Sequence, residues 1–323
     1  MIPPPPVAED DVFAPALAAE RRHNARRLDL RAWRKSRGVL VVVVVLGLAA
    51  CRTTATPSNE KDAAPATAVA PLPSMGCRAG EIAALVGERR QIVVGGEPRS
   101  YLIDAPGGVG EVPRALVLAF HGFRDSAAGL RSGIGLAERA ATGAFVAIHP
   151  DGHEGVALLN QIGRGWDMGP EDDRDLAFLR ALLDAIEQER CIDRRRIFAT
   201  GFSNGGFLAN LLGCRMADRL AAVAAVSGAR ALDTCQPAAA MPILFLHGTA
   251  DRVVPLRLTA AAQGWWRRAN HCGDGDEPRD GCQAARDCTA DVVVCEGSQA
   301  HTWPADATRR IWEFFRTHPR NGG

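Results

Sequence analysis

Short apolar runs alternate with helical patterns along most of this chain, and this alternation restricts its possible folds more than any other feature. Residues 115–120 form a continuous apolar run, which is typical of a strand buried on both faces of a sheet. Similar runs occur at 144–148, 197–200, 221–226 and 243–246. Apolar residues at helical spacing lie between them, as at Leu176, Leu179, Leu183 and Ile186. Strand and helix alternation over about 230 residues predicts an α/β fold with a mostly parallel central sheet flanked by helices, in one domain.

The first 50 residues have the pattern of a targeting signal rather than of a folded element. A basic stretch at 21–37 precedes an apolar run of 12 residues at 39–50. A membrane-spanning helix needs about 20 apolar residues, so we interpret the run as the core of a signal peptide. It ends in Leu48-Ala49-Ala50-Cys51, which resembles a bacterial lipobox and predicts lipidation of Cys51. An ordinary signal peptide with a chance cysteine is the alternative.

Cleavage before Cys51 would divide the chain into three parts. Residues 1–50 would be a lipoprotein signal peptide, and residues 51–76, rich in Ala, Pro, Thr and Ser, a tether behind the lipidated cysteine. Residues 77–318 would be the single catalytic domain, held outside the cytoplasm on the cell envelope or secreted. The oligomeric state and the membrane leaflet are not indicated by any pattern.

Composition and charge exclude several classes of protein. Hydrophobic residues make up 47% of the chain and charged residues 23%, which argues against a disordered chain. Residues 1–50 carry eight basic and five acidic side chains, so removing them would change the net charge from +1 to −2. No strong basic field remains that would indicate a nucleic-acid partner.

The nine cysteines become an even set of eight if Cys51 carries lipid. In an exported protein such a set predicts up to four disulfides, but their pairing is not fixed by the sequence. A zinc site among the cysteines of 272–295 is the competing interpretation. Their spacings of 10, 6 and 7 positions contain no C-x-x-C pair, so the sequence favours disulfides and no metal.

The segment Gly201-Phe202-Ser203-Asn204-Gly205-Gly206 is the strongest chemical motif. It follows the predicted strand 197–200 and precedes a helical stretch, which is the strand–turn–helix context of a G-x-S-x-G nucleophile elbow. Small residues must flank a nucleophile on so tight a turn, and the following helix directs its positive end at the serine. We therefore predict Ser203 as a nucleophile, against the alternative of an inert serine in a glycine-rich turn.

A serine nucleophile needs a base and an acid that orients the base. Asp251 follows the predicted strand 243–246, and His301 lies 50 residues later, after a strand-like stretch at 292–294. We predict these two residues as the acid and the base, in the chain order Ser, Asp, His. The rivals Asp233 and His271 lie in loop segments without such a preceding strand. His247 is predicted to pack near the strand end.

Two backbone amides should form the oxyanion hole. One is that of Asn204, directly after the nucleophile, and the other should follow an early strand. Phe123, after the run 115–120, fits the second position. His121 is then a residue that shapes this loop rather than a base.

Several segments together resemble one family. They are His121-Gly122, His149-Pro150-Asp151-Gly152, Trp166, Asp175-Leu176-Ala177-Phe178, the elbow, His247-Gly248-Thr249-Ala250-Asp251 and His301-Thr302-Trp303-Pro304. This combination resembles the secreted polyhydroxybutyrate depolymerase and feruloyl esterase group of α/β-hydrolases, over residues 77–318. The resemblance implies an α/β-hydrolase fold and a carboxylic ester hydrolase without metal or organic cofactor, often disulfide-bonded.

The resemblance leaves the substrate open. His149 stands where the family often has tyrosine, and Phe123-Arg124 stands where it often has a small or sulfur residue. Feruloyl or acetyl esters of plant polysaccharides and hydroxybutyrate oligomers all fit the reaction. Trp166 and Trp303 are candidates for lining the substrate pocket, although Trp303 could equally pack the His301 loop.

Two other functions are weighed against a serine esterase. A serine peptidase of the prolyl-oligopeptidase type shares the elbow and the chain order, but usually brings a propeller domain for which 323 residues leave no room. A surface binding protein on a dead hydrolase scaffold is the second alternative, and the complete Ser, Asp and His set argues against it.

Overall fold

A large mixed sheet organises the chain, and its centre is parallel. The computed structural model describes residues 69–158, 160–167, 174–229 and 235–320. Cys51 and the predicted signal peptide lie outside these residues. The strands are β1 (Glu81–Ile82), β2 (Leu85–Val94), β3 (Glu97–Ala105), β4 (Gly108–Val109), β5 (Arg114–Phe120), β6 (Phe145–Pro150), β7 (His153–Leu158), β8 (Gln161–Gly165), β9 (Ile192–Phe202), β10 (Ala222–Val226), β11 (Ile243–Gly248), β12 (Asp276–Arg279), β13 (Cys282–Ala285) and β14 (Val292–Gly297).

Ten of these strands form the main sheet, in the order β12-β13-β14-β11-β10-β9-β5-β6-β3-β2. The six strands from β14 to β6 run parallel, and the outer pairs at both edges are antiparallel. The pairs β1–β4 and β7–β8 form two small separate sheets. The predicted α/β fold with a mostly parallel central sheet is therefore confirmed.

Helices cover both faces of the main sheet. They are α1 (Ala127–Gly133), α2 (Leu136–Ala141), α3 (Arg174–Glu189), α4 (Asn204–Arg215), α5 (Leu256–Ala269) and α6 (Ala307–Arg316). One core contains the apolar faces of α3, α4 and α5, and the other contains those of α1, α2 and α6. Alternate residues of β5 enter the two cores: Leu116 and Leu118 the first, Val117 and Ala119 the second. Burial on both faces is the physical reason for the continuous apolar runs in the sequence.

The compact unit begins at Val69, eight residues before the predicted start at Cys77. The Leu72 amide donates to Asp193 Oδ1 at 2.9 Å, and the Ser74 hydroxyl donates to the Arg190 carbonyl at 2.7 Å. The end of the segment interpreted as a tether thus packs against the beginning of β9. The composition of residues 69–76 does not reveal this, because the anchoring bonds are made by backbone atoms and one serine.

Eight cysteines pair into four disulfides, as the even count predicts. The pairs are Cys77–Cys191, Cys214–Cys235, Cys272–Cys288 and Cys282–Cys295. The last two pairs contain all four cysteines of 272–295. Their sulfur atoms are bonded to each other, so they do not offer the thiolates that the alternative zinc site would need. Within the described residues, no helix combines the length and the apolar character that a membrane span requires.

A buried histidine, His149, lies on β6 beside a buried ion pair. Neither ring nitrogen has a hydrogen-bond partner among the described residues, and Nε2 lies 3.6 Å from Asp104 Oδ2. Asp104 is already held by Arg131, whose Nε and Nη2 bind its two oxygens at 2.8 and 2.7 Å. Burial lowers the pKa of His149 to about 4, because Arg131 adds to the desolvation and Asp104 offsets it only in part.

His149 should make the stability of the fold fall in acid. Its pKa is lower in the folded state than the ordinary value near 6.5, so below about pH 6.5 the unfolded chain binds the extra proton. We expect the free energy of unfolding to lose about 3 kcal/mol through this residue between about pH 6.5 and 4. Urea unfolding at several pH values should give a shallower dependence on pH for His149→Phe than for the wild type over this range. Equal slopes would contradict the assignment.

Candidate active site

Ser203 lies on a strained turn between β9 and α4. Its φ of +53° and ψ of −120° are unusual for a residue with a side chain. The Ser203 amide donates to the Val226 carbonyl at 2.9 Å, which ties the turn to the neighbouring strand β10. The predicted nucleophile therefore lies at the carboxyl end of the parallel strands, in front of the first turn of a helix.

The glycines around Ser203 are required by close packing of the backbone. A Cβ atom at Gly201 would lie 2.3 Å from the Gly205 carbonyl oxygen. A Cβ atom at Gly205 would lie 2.2 Å from the carbonyl oxygen of Phe120, on β5. No side chain fits at such distances, so the turn can approach β5 only with glycine at both positions. This is the physical origin of the G-x-S-x-G spacing.

Asp251 and His301 form a hydrogen-bonded pair, although they are 50 residues apart. Asp251 Oδ2 lies 2.7 Å from His301 Nδ1, and Oδ1 accepts from the amides of Val253 and Val254 at 2.9 Å each. Burial alone would raise the pKa of Asp251, but the hydrogen bonds from His301 and Val254 outweigh it and lower that pKa. An ionised Asp251 requires the proton on Nδ1, so Nε2 is the basic nitrogen of His301.

The paired histidine is adjacent to the serine turn. The ring of Phe202, the residue before Ser203, lies 4.8 Å from the His301 ring between centroids. His301 remains partly exposed, with 17% of its side chain open to solvent, whereas the Asp251 side chain is fully buried. The structure thus brings the three predicted residues to one edge of the sheet, as their positions after β9, β11 and β14 require.

His247 supports the acid instead of acting as a base. Its Nε2 donates to the Val254 carbonyl at 2.8 Å, and its Nδ1 lies 2.7 Å from the Thr259 hydroxyl. A carbonyl can only accept, so Nε2 carries a proton, and the Thr259 hydroxyl fixes the other side of the ring. Its Nε2 also lies 3.6 Å from Asp251 Oδ2. The prediction that His247 packs near the strand end is confirmed.

The two predicted oxyanion donors flank Ser203. A Cβ atom on Gly122, next to Phe123, would lie 3.5 Å from the Ser203 Cβ. Phe123 therefore follows a loop that touches the nucleophile, and its amide donates to no backbone or side-chain acceptor among the described residues. The Asn204 amide belongs to the first turn of α4, where backbone N–H groups have no partner within the helix.

Asn204 and Trp166 support the loop of residues 121–124, which follows β5 and is called the oxyanion loop below. The Trp166 amide donates to Asn204 Oδ1 at 2.8 Å, and Asn204 Nδ2 donates back to the Trp166 carbonyl at 3.3 Å. The Trp166 indole N–H donates to the His121 carbonyl at 2.9 Å. With 1% of its surface exposed, Trp166 is buried behind the loop and does not line an open pocket, contrary to the sequence interpretation.

His121 closes the same network as a neutral ring. The Gly152 amide donates to its Nε2 at 2.9 Å, so the proton is on Nδ1, which donates to the Gly122 carbonyl at 2.7 Å. Burial lowers the pKa of His121 below its ordinary value, more than the Gly122 carbonyl raises it. The predicted loop-shaping role of His121 is confirmed, and it requires the uncharged ring.

Trp303 packs inside the loop that carries His301. Its indole N–H donates to the Thr308 hydroxyl at 3.1 Å, and Thr308 in turn donates to the Ile134 carbonyl. The side chain is partly buried against the core that contains α6. These contacts agree with the alternative that Trp303 packs the His301 loop. Its contact with substrate stays a prediction.

The hairpin β7–β8 also contacts the loop that follows β5. The Arg124 amide donates to the Arg164 carbonyl of β8 at 2.7 Å, which fastens the hairpin to the oxyanion loop. The two arginines line an open cavity of about 410 Å³ together with Asp125, Ser126, Glu154 and Gly163. Its lining is polar, and it borders the loop beside Ser203.

Comparisons with known proteins agree with this geometry. A family model described as phospholipase/carboxylesterase matches residues 173–280. Feruloyl esterase B of Piromyces equi is 29% identical over 61% of this chain, which spans 40% of that relative's length. Feruloyl esterase D of Neurospora crassa is 27% identical over 78% of this chain, which spans 93% of that relative.

The fold is also shared with solved structures. The acetyl xylan esterase from Aspergillus awamori superimposes with a TM-score of 0.55 at 15% identity, covering 71% of this chain and 99% of that one. The chain therefore has the α/β-hydrolase fold. Its predicted resemblance to α/β-hydrolases of the feruloyl esterase type is confirmed. The polyhydroxybutyrate depolymerase part of the resemblance stays a prediction.

Trp166→Phe tests whether the brace positions the oxyanion donors. Phenylalanine keeps the ring but removes the N–H that binds the His121 carbonyl. We expect a loss of about tenfold in kcat for a soluble aryl ester with little change in KM, since the oxyanion develops only in the transition state. Trp265→Phe, which alters a buried tryptophan of α5, is the matched control. Equal losses in both variants, or a loss confined to KM, would contradict a positioning role.

Proposed function

We propose that this chain is a serine carboxylic ester hydrolase that acts through an acyl-enzyme. The observation that carries the proposal is the buried Asp251–His301 hydrogen bond beside the strained Ser203 turn. This arrangement supplies a nucleophile, a base with its lone pair on Nε2, and an acid that stays ionised. Feruloyl and acetyl xylan esterases among the similar proteins support the same reaction.

The mechanism proceeds in two acyl-transfer steps. His301 Nε2 removes the proton of the Ser203 hydroxyl as its oxygen attacks the ester carbonyl. The amides of Phe123 and Asn204 bind the resulting oxyanion, and protonated His301 then gives its proton to the departing alcohol. A water molecule deprotonated by His301 attacks the acyl-enzyme and releases the acid. Asp251 stabilises the imidazolium in both steps.

The polar cavity supports a carbohydrate ester as the substrate. Arginine, aspartate, glutamate and serine side chains around about 410 Å³ next to the oxyanion loop offer hydrogen-bond donors and acceptors rather than an apolar slot. We therefore place a feruloyl or acetyl ester of a plant polysaccharide first among the substrates. A hydroxybutyrate oligomer is the second candidate in the same class of ester.

We further propose that Cys51 is lipidated and anchors the domain outside the cytoplasm. The four disulfides support an oxidising compartment. The lipobox-like segment that ends at Cys51 supports the anchor. Processing that is blocked by globomycin in the wild type and absent in Cys51→Ala is the expected result, and processing that is insensitive to both would remove the proposal.

Ser203→Ala should abolish ester hydrolysis. Without the hydroxyl no acyl-enzyme forms, and we expect kcat for a soluble aryl ester to fall at least about 10⁴-fold. Labelling by a fluorophosphonate should disappear with it. Ser132→Ala, a change at an exposed serine of α1, should keep both. Wild-type activity in Ser203→Ala would refute the nucleophile assignment, and an unlabelled wild type would favour a non-catalytic scaffold.

A panel of three esters should identify the substrate. We expect a higher kcat/KM for methyl ferulate or acetylated xylan than for hydroxybutyrate oligomers, because the cavity lined by Arg124 and Arg164 is polar. The amide analogue of the aryl ester should not be cleaved. A preference for the oligomers would reverse the substrate order, and faster cleavage of the amide than of the ester would favour a peptidase.

A further inference from the structure

Arginines cluster at the end of β9 that is opposite to Ser203. Arg194, Arg195 and Arg196 are consecutive near the start of this strand, and the Arg320 amide donates to the Arg195 carbonyl at 2.8 Å. We call these four residues the arginine patch. Arg194 is exposed and the other three are partly exposed, so the arginine patch reaches the surface of the domain.

The charge of the arginine patch is only partly neutralised. Arg194 pairs with Glu187 at 3.2 Å, and Arg196 with Asp193 at 3.5 Å. Arg195 and Arg320 form no ion pair with a carboxylate of the described residues, and the Nε of each is buried without a hydrogen-bond acceptor there.

The lowered pKa of Arg320 reflects both its burial and the positive charge around it. Burial and then the repulsion of Arg194 lower its pKa, and Asp218 offsets this only in part. Asp218 itself is held by Arg180, with Oδ2 at 2.8 Å from Arg180 Nη1. An anion brought to this surface would therefore meet positive charge that the protein does not balance.

The described chain begins beside the same patch. The Arg194 amide donates to the Leu72 carbonyl at 2.8 Å, and Arg195 Nη1 donates to the Ala70 carbonyl at 2.9 Å. Cys51 precedes Val69 by 18 residues, which can span at most about 60 Å. A lipid anchor at Cys51 would thus leave the arginine patch within reach of the bilayer.

The arginine patch and the nucleophile face opposite ends of the sheet. Arg195 precedes Ser203 by eight positions, and all but the last lie in β9. At about 3.3 Å per residue, their Cα atoms are about 26 Å apart along the strand direction. Contact between the patch and a membrane would direct Ser203 away from the lipid and toward solvent, where a polysaccharide can reach it.

We propose that the arginine patch is a docking surface for an anionic membrane, and that it orients the domain with Ser203 facing outward. A basic surface next to an anchor provides a second attachment to lipid. Each arginine near an anionic bilayer strengthens binding by about fivefold. The proposal concerns the surface and the orientation, so it stands whether or not Ser203 cleaves esters.

Vesicle binding by an acyl-free full chain tests the surface directly. The full chain carrying Cys51→Ala is mixed with vesicles of phosphatidylcholine, alone or with about one third phosphatidylglycerol, and the bound fraction is measured by sedimentation. The anionic lipid should increase binding, and added salt should remove the increase. Arg195→Gln with Arg320→Gln should reduce the lipid-dependent increase by roughly tenfold or more, since two charges are lost.

The matched control removes the same charge from the other end of the sheet. Arg257→Gln with Arg309→Gln changes two exposed arginines in the first turns of α5 and α6, which follow the loops of Asp251 and His301. This variant should bind vesicles as the parent does. The temperature of thermal unfolding should be the same in both variants and the parent, which shows that a loss of binding is not a loss of folding. The bound fraction is measured without any esterase substrate, so the result does not depend on esterase activity.

Three outcomes would overturn the proposal. One is equal binding of the patch variant and its parent to the anionic vesicles. Another is an equal loss in the patch and control variants, because that would show an effect of net charge alone. The third is a patch variant that loses binding to an anionic polysaccharide but not to the vesicles, which would assign the surface to that polymer.

Discussion

The close contact between the Ser203 turn and β5 is the constraint on which the rest of the site depends. Glycine at 201 and 205 allows this contact, because a Cβ atom would meet a carbonyl oxygen at 2.3 or 2.2 Å. Ser203 has a positive φ at this contact, which strains its backbone. The hydrogen bond from its amide to the Val226 carbonyl of β10 helps to offset that strain. The close contact also brings Phe120, and therefore the loop that follows β5, against the nucleophile. One packing contact consequently positions both the proposed nucleophile and the loop that carries the proposed oxyanion donor Phe123.

Three buried histidines around the site have different tasks, and their hydrogen bonds distinguish them. His121 is held neutral by an amide that donates to it, and His149 by burial without a hydrogen bond among the described residues, whereas His247 is fixed between the Val254 carbonyl and the Thr259 hydroxyl. Among these four histidines, His301 is the one bonded to a carboxylate at hydrogen-bond distance, and part of its side chain remains exposed. The proposed base thus differs from the three buried histidines in its partner and its exposure, and its position beside the Ser203 turn separates it from His318, which pairs with Asp291.

The sequence predicts much of the fold, and it also predicts the candidate residues Ser203, Asp251 and His301. Both predictions have a physical basis. Parallel buried strands require continuous apolar runs, and the elbow requires glycines at fixed spacing, so both leave local patterns. Trp166 was misinterpreted because its role depends on two long-range hydrogen bonds, to Asn204 and His121, that leave no pattern. The packing of residues 69–76 on the domain leaves no pattern for the same reason, since backbone atoms of Leu72 make part of the contacts.

The disulfide between Cys77 and Cys191 has a mechanical consequence for a domain held from its amino terminus. A pull on the chain before Val69 would first break the hydrogen bonds of Leu72 and Ser74 with the start of β9. It would then reach a covalent bond, so no more than the eight residues 69–76 could be peeled from the surface. The force would then act through the disulfide on Cys191, directly before the central strand β9. It would not separate the strands of the sheet one after another from the edge strand β2. Drag on an anchored molecule would therefore leave Ser203, at the far end of β9, in place.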